Sequence, residues 1–220
     1  MRIYPNLVLM LLLGLVSLSS ARAQSVRGSG QVTRKEVPVE AFTKIRNSSS
    51  ANLYLTDGGG PTLTIEADDN IIPLIEITSQ NGELTIRNTD KSGFNTMNNI
   101  NTYLPVGALA ELRNSGSGNI SATKPIVSPA LRLVHSGSGN ITLALQTPTL
   151  VMTYSGSGNV TLTGQAQSFT LTLSGSGNVS TPQLLTETAQ VNLSGTGNAR
   201  VNCTSALTVH LSGTGNVLYT

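Results

Sequence analysis

The chain has 220 residues, 13 of them basic and 11 acidic, with one cysteine, two histidines and no tryptophan. A single cysteine excludes an internal disulfide, two isolated histidines exclude a histidine-based metal triad, and a net charge of +2 is no signature of a nucleic-acid or anionic-membrane binder. Charge is also unevenly placed: after Ser115 only Lys124, Arg132, Glu187 and Arg200 carry any.

Residues 1–23 read as a secretory signal peptide. Arg2 supplies the positive start, residues 7–18 are apolar apart from Gly14 and Ser17, and Ala21-Arg22-Ala23 is an Ala-x-Ala cleavage site. The stretch is too short to span a bilayer as a helix. Arg2 and Arg22 depart with it, leaving 11 basic residues against 11 acidic and no net charge. No cysteine near the cleavage site offers a lipid anchor and no second apolar span follows, so the expectation is an exported chain without an integral membrane span, in the periplasm, on the cell surface or secreted.

Residues 24–220 are expected to form one domain, with irregular coils over 24–113 and regular ones over 114–220. Gly28-Ser29-Gly30 is either a worn repeat or a flexible lead-in. Residues 42–55 follow a strand pattern, and Asn47-Ser48-Ser49-Ser50-Ala51-Asn52 reads as a degenerate copy of a motif that recurs later. Beyond it, Leu63, Ile65 and Ala67, then Leu74, Ile75 and Ile77, then Leu84 and Ile86 alternate as strands do, with turns at Gly58-Gly59-Gly60-Pro61 and Asn81-Gly82. The 67 residues from Ser48 to Ser115 would hold about three further coils. Residues 91–101 break the rhythm and read as a loop.

The motif itself is Ser-Gly-Ser-Gly-Asn. It occurs as Ser115, Ser117, Asn119; Ser136, Ser138, Asn140; Ser155, Ser157, Asn159; and Ser174, Ser176, Asn178. Threonine takes the middle place in Ser194, Thr196, Asn198 and in Ser212, Thr214, Asn216. Successive copies start 21, 19, 19, 20 and 18 residues apart, the signature of a solenoid. Apolar residues alternate on both sides, as in Leu131, Leu133 and His135 before one copy and Ile141 after it, which means strand, bend, strand. If the backbone stays extended, the glycines face inward and the hydroxyl and amide side chains face out. A left-handed glycine would instead turn the asparagines inward as an amide ladder. A coil of about 20 residues cannot bury its apolar face alone, so eight to ten coils would stack into a rod roughly 40 Å long.

These residues resemble the putative auto-transporter adhesin head GIN domain family. The resemblance rests on the 42–55 strand pattern, on Ile65-Glu66-Ala67-Asp68-Asp69-Asn70-Ile71-Ile72-Pro73, on the Asn81-to-Ile86 run and on the tandem motif, and it covers roughly residues 32–217. It implies a right-handed parallel β-helix exported by bacteria, without an established activity. No translocator barrel follows the repeats, which departs from the auto-transporter pattern.

Chemistry is sparse. Gly-x-Gly lacks the third glycine of a dinucleotide site, since Ser121, Thr142, Thr161, Ser180, Arg200 or Leu218 stands there. A calcium β-roll would need aspartate where asparagine stands. Glu66, Asp68 and Asp69 read as a solvated acidic turn, His135 as a hydrogen-bonded core position, His210 as outward, Cys203 as a buried small residue, and the sequons at Asn119, Asn140, Asn159 and Asn178 as by-products of the repeat. No catalytic set, cofactor site or metal site is expected. The candidate binding face is the set of Ser, Thr and Asn columns named above, which would hold a glycan or other surface polymer by many weak contacts. Against it stands the reading that the bend alone demands Gly and Asn. The alternative function is an envelope-associated accessory protein that binds other proteins.

Overall fold

The computed structural model describes residues 25–58, 60–89 and 93–220; the signal peptide expected over residues 1–23 lies outside them. The fold is a parallel β-helix. Each regular coil is one long bent strand, Ile141–Tyr154, Val160–Leu173, Val179–Leu193 or Ala199–Leu211, and a motif bend joins it to the next. Strands pair in parallel: Leu112 with Leu133, Leu133 with Met152, Met152 with Leu171 and Leu171 with Val191. On the far side of the bend Ile120, Ile141, Val160, Val179 and Ala199 form a second column. Both columns are buried, so each coil buries its apolar side against its neighbours.

The coil lengths differ, and the difference is absorbed away from the motif. Between Val160–Leu173 and Val179–Leu193 the paired residues are 19 apart at Thr161 and Ser180 but 20 apart at Thr163 and Gln183. The next pair is irregular between Ser180 and Leu185 and again between Thr186 and Thr188. Register then returns before the following bend.

The first half differs from the expectation of three stacked coils. Strand Lys44–Asn47 pairs directly with Glu111–Asn114, and Asn52–Asp57 directly with Ile120–Ala122. The degenerate copy therefore sits against Ser115–Asn119 with no coil between them, and seven motif copies stack over about 29 Å at the usual strand spacing. The intervening residues add one further parallel coil on the other side of the degenerate copy, Glu83–Asn88 on Lys44–Asn47 and Asn101–Val106 on Asn52–Asp57, and the rest of them cap it. Val32–Pro38 pairs antiparallel with Thr62–Asp68, which pairs antiparallel with Asn101–Val106. The hairpin Ile75–Gln80 and Glu83–Asn88 turns at Asn81 and Gly82, both at positive φ, as a two-residue Asn-Gly hairpin requires. Arg34, Lys35, Glu36 and Pro38 on the outermost strand are residues that discourage further pairing.

Two further expectations are corrected here. Residues 91–101 are not simply a loop, because Phe94–Asn95 pairs in parallel with Val26–Arg27. The acidic turn is not simply solvated either: Asp68 is 1% exposed, while Asp69 is exposed and Glu66 half-buried. The Asp68 carboxylate accepts hydrogen bonds from Thr96 Oγ1 at 2.7 Å and Asn98 Nδ2 at 2.6 Å. The lead-in docks beside it, with the Ser29 amide donating to Asn70 Oδ1 and Asn70 Nδ2 donating to the Arg27 carbonyl. Asp68 thus ties residues 26–30 and 94–98 to the cap.

Hydrogen bonds from Thr96 and Asn98, aided by the Gly30 amide, hold the Asp68 carboxyl below its ordinary pKa. A depressed carboxylate pKa contributes stability above the unfolded-state value, and that stability disappears as pH falls through the folded value. Protection of the amides of residues 26–30 and 96–98, their exchange relative to the intrinsic rate at each pH, is therefore expected to fall on acidification below the ordinary aspartate range. Asp68→Asn should show the lowered protection already at pH 7; unchanged protection in that variant would contradict the role assigned to Asp68.

Candidate binding face

The bend is made by glycines that have no room for a side chain. None of the motif glycines adopts positive φ, so the alternation of the strands continues unbroken through Ser-Gly-Ser-Gly-Asn. A Cβ on Gly118 would lie 1.9 Å from the Ala51 carbonyl oxygen, one on Gly139 2.0 Å from that of Gly118, and one on Gly158 2.1 Å from that of Gly139. Only glycine lets one coil's backbone sit this close to the next. Gly158→Ala is expected to cost at least about 2 kcal/mol through overpacking, measured by urea denaturation; a loss within experimental error would mean that the stack yields easily.

With glycines inward, every Ser, Thr and Asn of the six clean copies is exposed, including Ser115, Ser117 and Asn119 at one end and Ser212, Thr214 and Asn216 at the other. The asparagines nevertheless form a ladder. The Asn119 backbone N–H donates to Asn52 Oδ1, that of Asn140 to Asn119 Oδ1, and that of Asn159 to Asn140 Oδ1, at 2.8–2.9 Å. Asn178 Nδ2 donates to Asn159 Oδ1, and the Asn198 and Asn216 amides continue the run. At the capped end Asn52 Nδ2 donates to Asn101 Oδ1 and Asn101 Nδ2 to Glu66, whose other oxygen holds Arg34. Exposure and laddering, which the sequence presents as alternatives, occur together because coil spacing alone brings one amide to the next.

The hydroxyls are left for solvent. Among the described residues the only protein partner of a hydroxyl in the six clean copies is the Asn47 carbonyl, 3.4 Å from Ser115 Oγ. Between the two hydroxyl columns runs a shallow trough of about 470 Å³, lined by Ser155, Ser174, Ser176, Ser194, Thr196 and Thr214 over a glycine floor. The trough offers hydroxyls at strand spacing and no charge.

A larger groove of about 710 Å³ runs along the opposite corner, between Gln146, Gln165 and Leu185 on one side and Pro148, Gln167 and Glu187 on the other. Sequence reasoning missed it. The signal was present as the buried small-residue column Ser128, Thr147, Ala166 and Thr186, in phase with the repeat.

Inside the bend a polar file replaces leucine at the first coils. Asn47 Nδ2 donates to Asn114 Oδ1 at 2.9 Å, Asn114 Nδ2 donates to His135 Nδ1 at 3.3 Å, and His135 Nε2 donates to the Gly139 carbonyl at 2.9 Å. The Tyr154 hydroxyl donates likewise to the Gly158 carbonyl. His135 is fully buried, with both ring nitrogens occupied. Cys203, expected inside, is only half-buried where the strand register slips, its thiol against the Glu187 and Ala206 carbonyls; His210 is exposed. Among the described residues no three acidic, histidine or cysteine side chains cluster to hold a metal, and no helix is long and apolar enough to cross a membrane.

Burial holds the His135 pKa below the ordinary histidine value, against the opposing pull of the Gly139 and Asn114 backbone groups. The unfolded chain then binds the proton first, so stability falls as pH drops below the ordinary histidine range. His135→Gln is expected to flatten the dependence of stability on pH between about 7 and 5, within the window set by the unperturbed histidine; an equal slope in both proteins would contradict this.

Residues 41–220 match the family described as putative auto-transporter adhesin, head GIN domain. The chain belongs to this family. Among solved structures the head GIN domain described here is similar to a putative adhesin from Bacteroides fragilis, with TM-score 0.82 and 22% identity, covering 89% of this chain and all of that one. It is also similar to a putative adhesin from Parabacteroides distasonis, at TM-score 0.62 and 21% identity over 90% of this chain and all of the other. A putative lipid binding protein from the same organism shares the fold, at TM-score 0.64 and 18% identity over 89% of this chain and all of the other. At these identities the likeness is one of fold. No curated protein matches this head GIN domain in sequence.

Proposed function

We propose that this head GIN domain is an exported, non-catalytic adhesive module that binds a repetitive uncharged polymer, a glycan of the cell surface or matrix, along its hydroxyl columns. The observation that carries the reading is the division of labour within the motif. The asparagines are engaged with one another, whereas the serine and threonine hydroxyls stand exposed over the trough with no charged group among them. Such a surface exchanges water hydrogen bonds for sugar hydrogen bonds at small net gain each, about 1 kcal/mol. Affinity then has to come from repetition, which a column of coils supplies. A hydroxyl surface of this kind suits sugar hydroxyls better than acyl chains.

The test is a glycan array probed with residues 24–220, followed by surface retention on the best-bound polymer. The triple variant Ser138→Ala, Ser157→Ala, Ser176→Ala keeps every glycine and asparagine and is expected to reduce retention at least about tenfold, as the loss of several weak contacts requires. Full retention by the triple variant, or no glycan bound at all, would overturn the reading in favour of a protein partner.

A further inference from the structure

Immediately beside the asparagine ladder lies an aromatic stack that ends on an open rung. Tyr54 and Tyr103 occupy paired positions on Asn52–Asp57 and Asn101–Val106, two residues beyond Asn52 and Asn101 on the same outer face. Their rings are stacked, with centroids 5.2 Å apart and planes 19° from parallel, and both side chains are half-buried. Above Tyr103 the stack is closed by the Arg34 guanidinium, 6.0 Å from the ring centroid. On the other side the residue in register with Tyr54 is Ser121, followed by Thr142. A ring therefore gives way, at the next coil, to a hydroxymethyl group.

We propose that a pyranose ring occupies this rung, laying its apolar face on Tyr54. The C–H bonds on one face of a pyranose carry the partial positive charge that an aromatic face attracts. The slot presents that face once, at coil spacing from the Tyr103 ring behind it. Around it stand the groups that a sugar edge needs: the Ser121 and Thr142 hydroxyls, and Asn119 Nδ2, which has no protein partner among the described residues although its Oδ1 accepts from Asn140. The column is uncharged between Tyr54 and Ser180, which selects neutral sugars. The site rests on the carbohydrate reading above only for the class of ligand. Its recognition is by stacking on one aromatic ring at the start of the array, not by repeated hydroxyl contacts.

The probes are methyl β-D-galactopyranoside, methyl β-D-glucopyranoside and methyl α-D-mannopyranoside, each titrated into residues 24–220 and read by saturation-transfer NMR, with acyclic sorbitol as the control. At least one glycoside should show saturation concentrated on the protons of one ring face, and sorbitol none. Tyr54→Ala is expected to weaken that glycoside about tenfold, the size of an aromatic contact. Ser121→Tyr, which fills the open rung with a third stacked ring and leaves the fold its partner, should abolish the signal. No face-selective saturation from any glycoside, or signals unchanged in both variants, would overturn the proposal. The hydroxyl-column triple variant separates the two sites: it should lose polymer retention and keep glycoside saturation, whereas Tyr54→Ala should keep retention and lose saturation; undiminished saturation in Tyr54→Ala would leave the columns standing and the platform refuted.

Discussion

The contact on which everything else depends is backbone against backbone at the motif glycines. Because a Cβ there would fall about 2 Å from the carbonyl oxygen of the preceding coil, the bend can be tight only where both coils carry glycine or a tolerated small residue. With two glycines inward at alternate positions, the residues between them have nowhere to go but out. The exposed serines, threonines and asparagines are thus a geometric consequence of the stack, and the surface chemistry of one whole edge is set by a packing requirement inside it.

The direction of the asparagine ladder explains its chemistry. Each donor points toward the preceding coil, so the run needs a terminal acceptor at the capped end and finds one in Glu66, reached through Asn101. That hydrogen bond, together with Arg34, keeps Glu66 ionised below the usual glutamate range. Aspartate in place of asparagine would stack like charges at coil spacing, a penalty familiar from like charges placed opposite each other in sheets, and would remove the Nδ2 donors of Asn52, Asn178, Asn198 and Asn216. A neutral amide accepts from the following coil and, at Asn52, Asn178, Asn198 and Asn216, also donates to the preceding one.

The sequence makes the regular half legible because period, parity and glycine placement all describe one coil at a time. What it hides are relations between distant segments. Nothing in the spacing of Ser48 and Ser115 says that their copies touch, since a repeat period measures chain length and not adjacency. The excursion between them turns out to be one parallel coil, stacked on the far side of the degenerate copy and closed by an antiparallel cap. Asp68 reads as solvated because Thr96, Asn98 and the Gly28–Gly30 segment meet it only after folding. The Tyr54–Tyr103 pair lies 49 residues apart in the chain, outside any local pattern, and the corner groove is made of residues whose types are individually unremarkable. Parity assigns the outward face only on condition that the backbone stays extended, and the structure supplies that condition, since no motif glycine has positive φ.

The slack at the second corner has a consequence for how such a chain can grow. Coils of 18 to 21 residues are brought back into phase before each motif, with bulges taking up the difference between Ser180 and Thr188. A gene segment copied in tandem with ragged ends would therefore still deliver its glycines to the right place, the error being discarded at the corner. Lengthening by duplication needs no accurate breakpoint here, and each added copy extends the hydroxyl surface by one row. Reach can thus be tuned in evolutionary time independently of the cap that starts the stack.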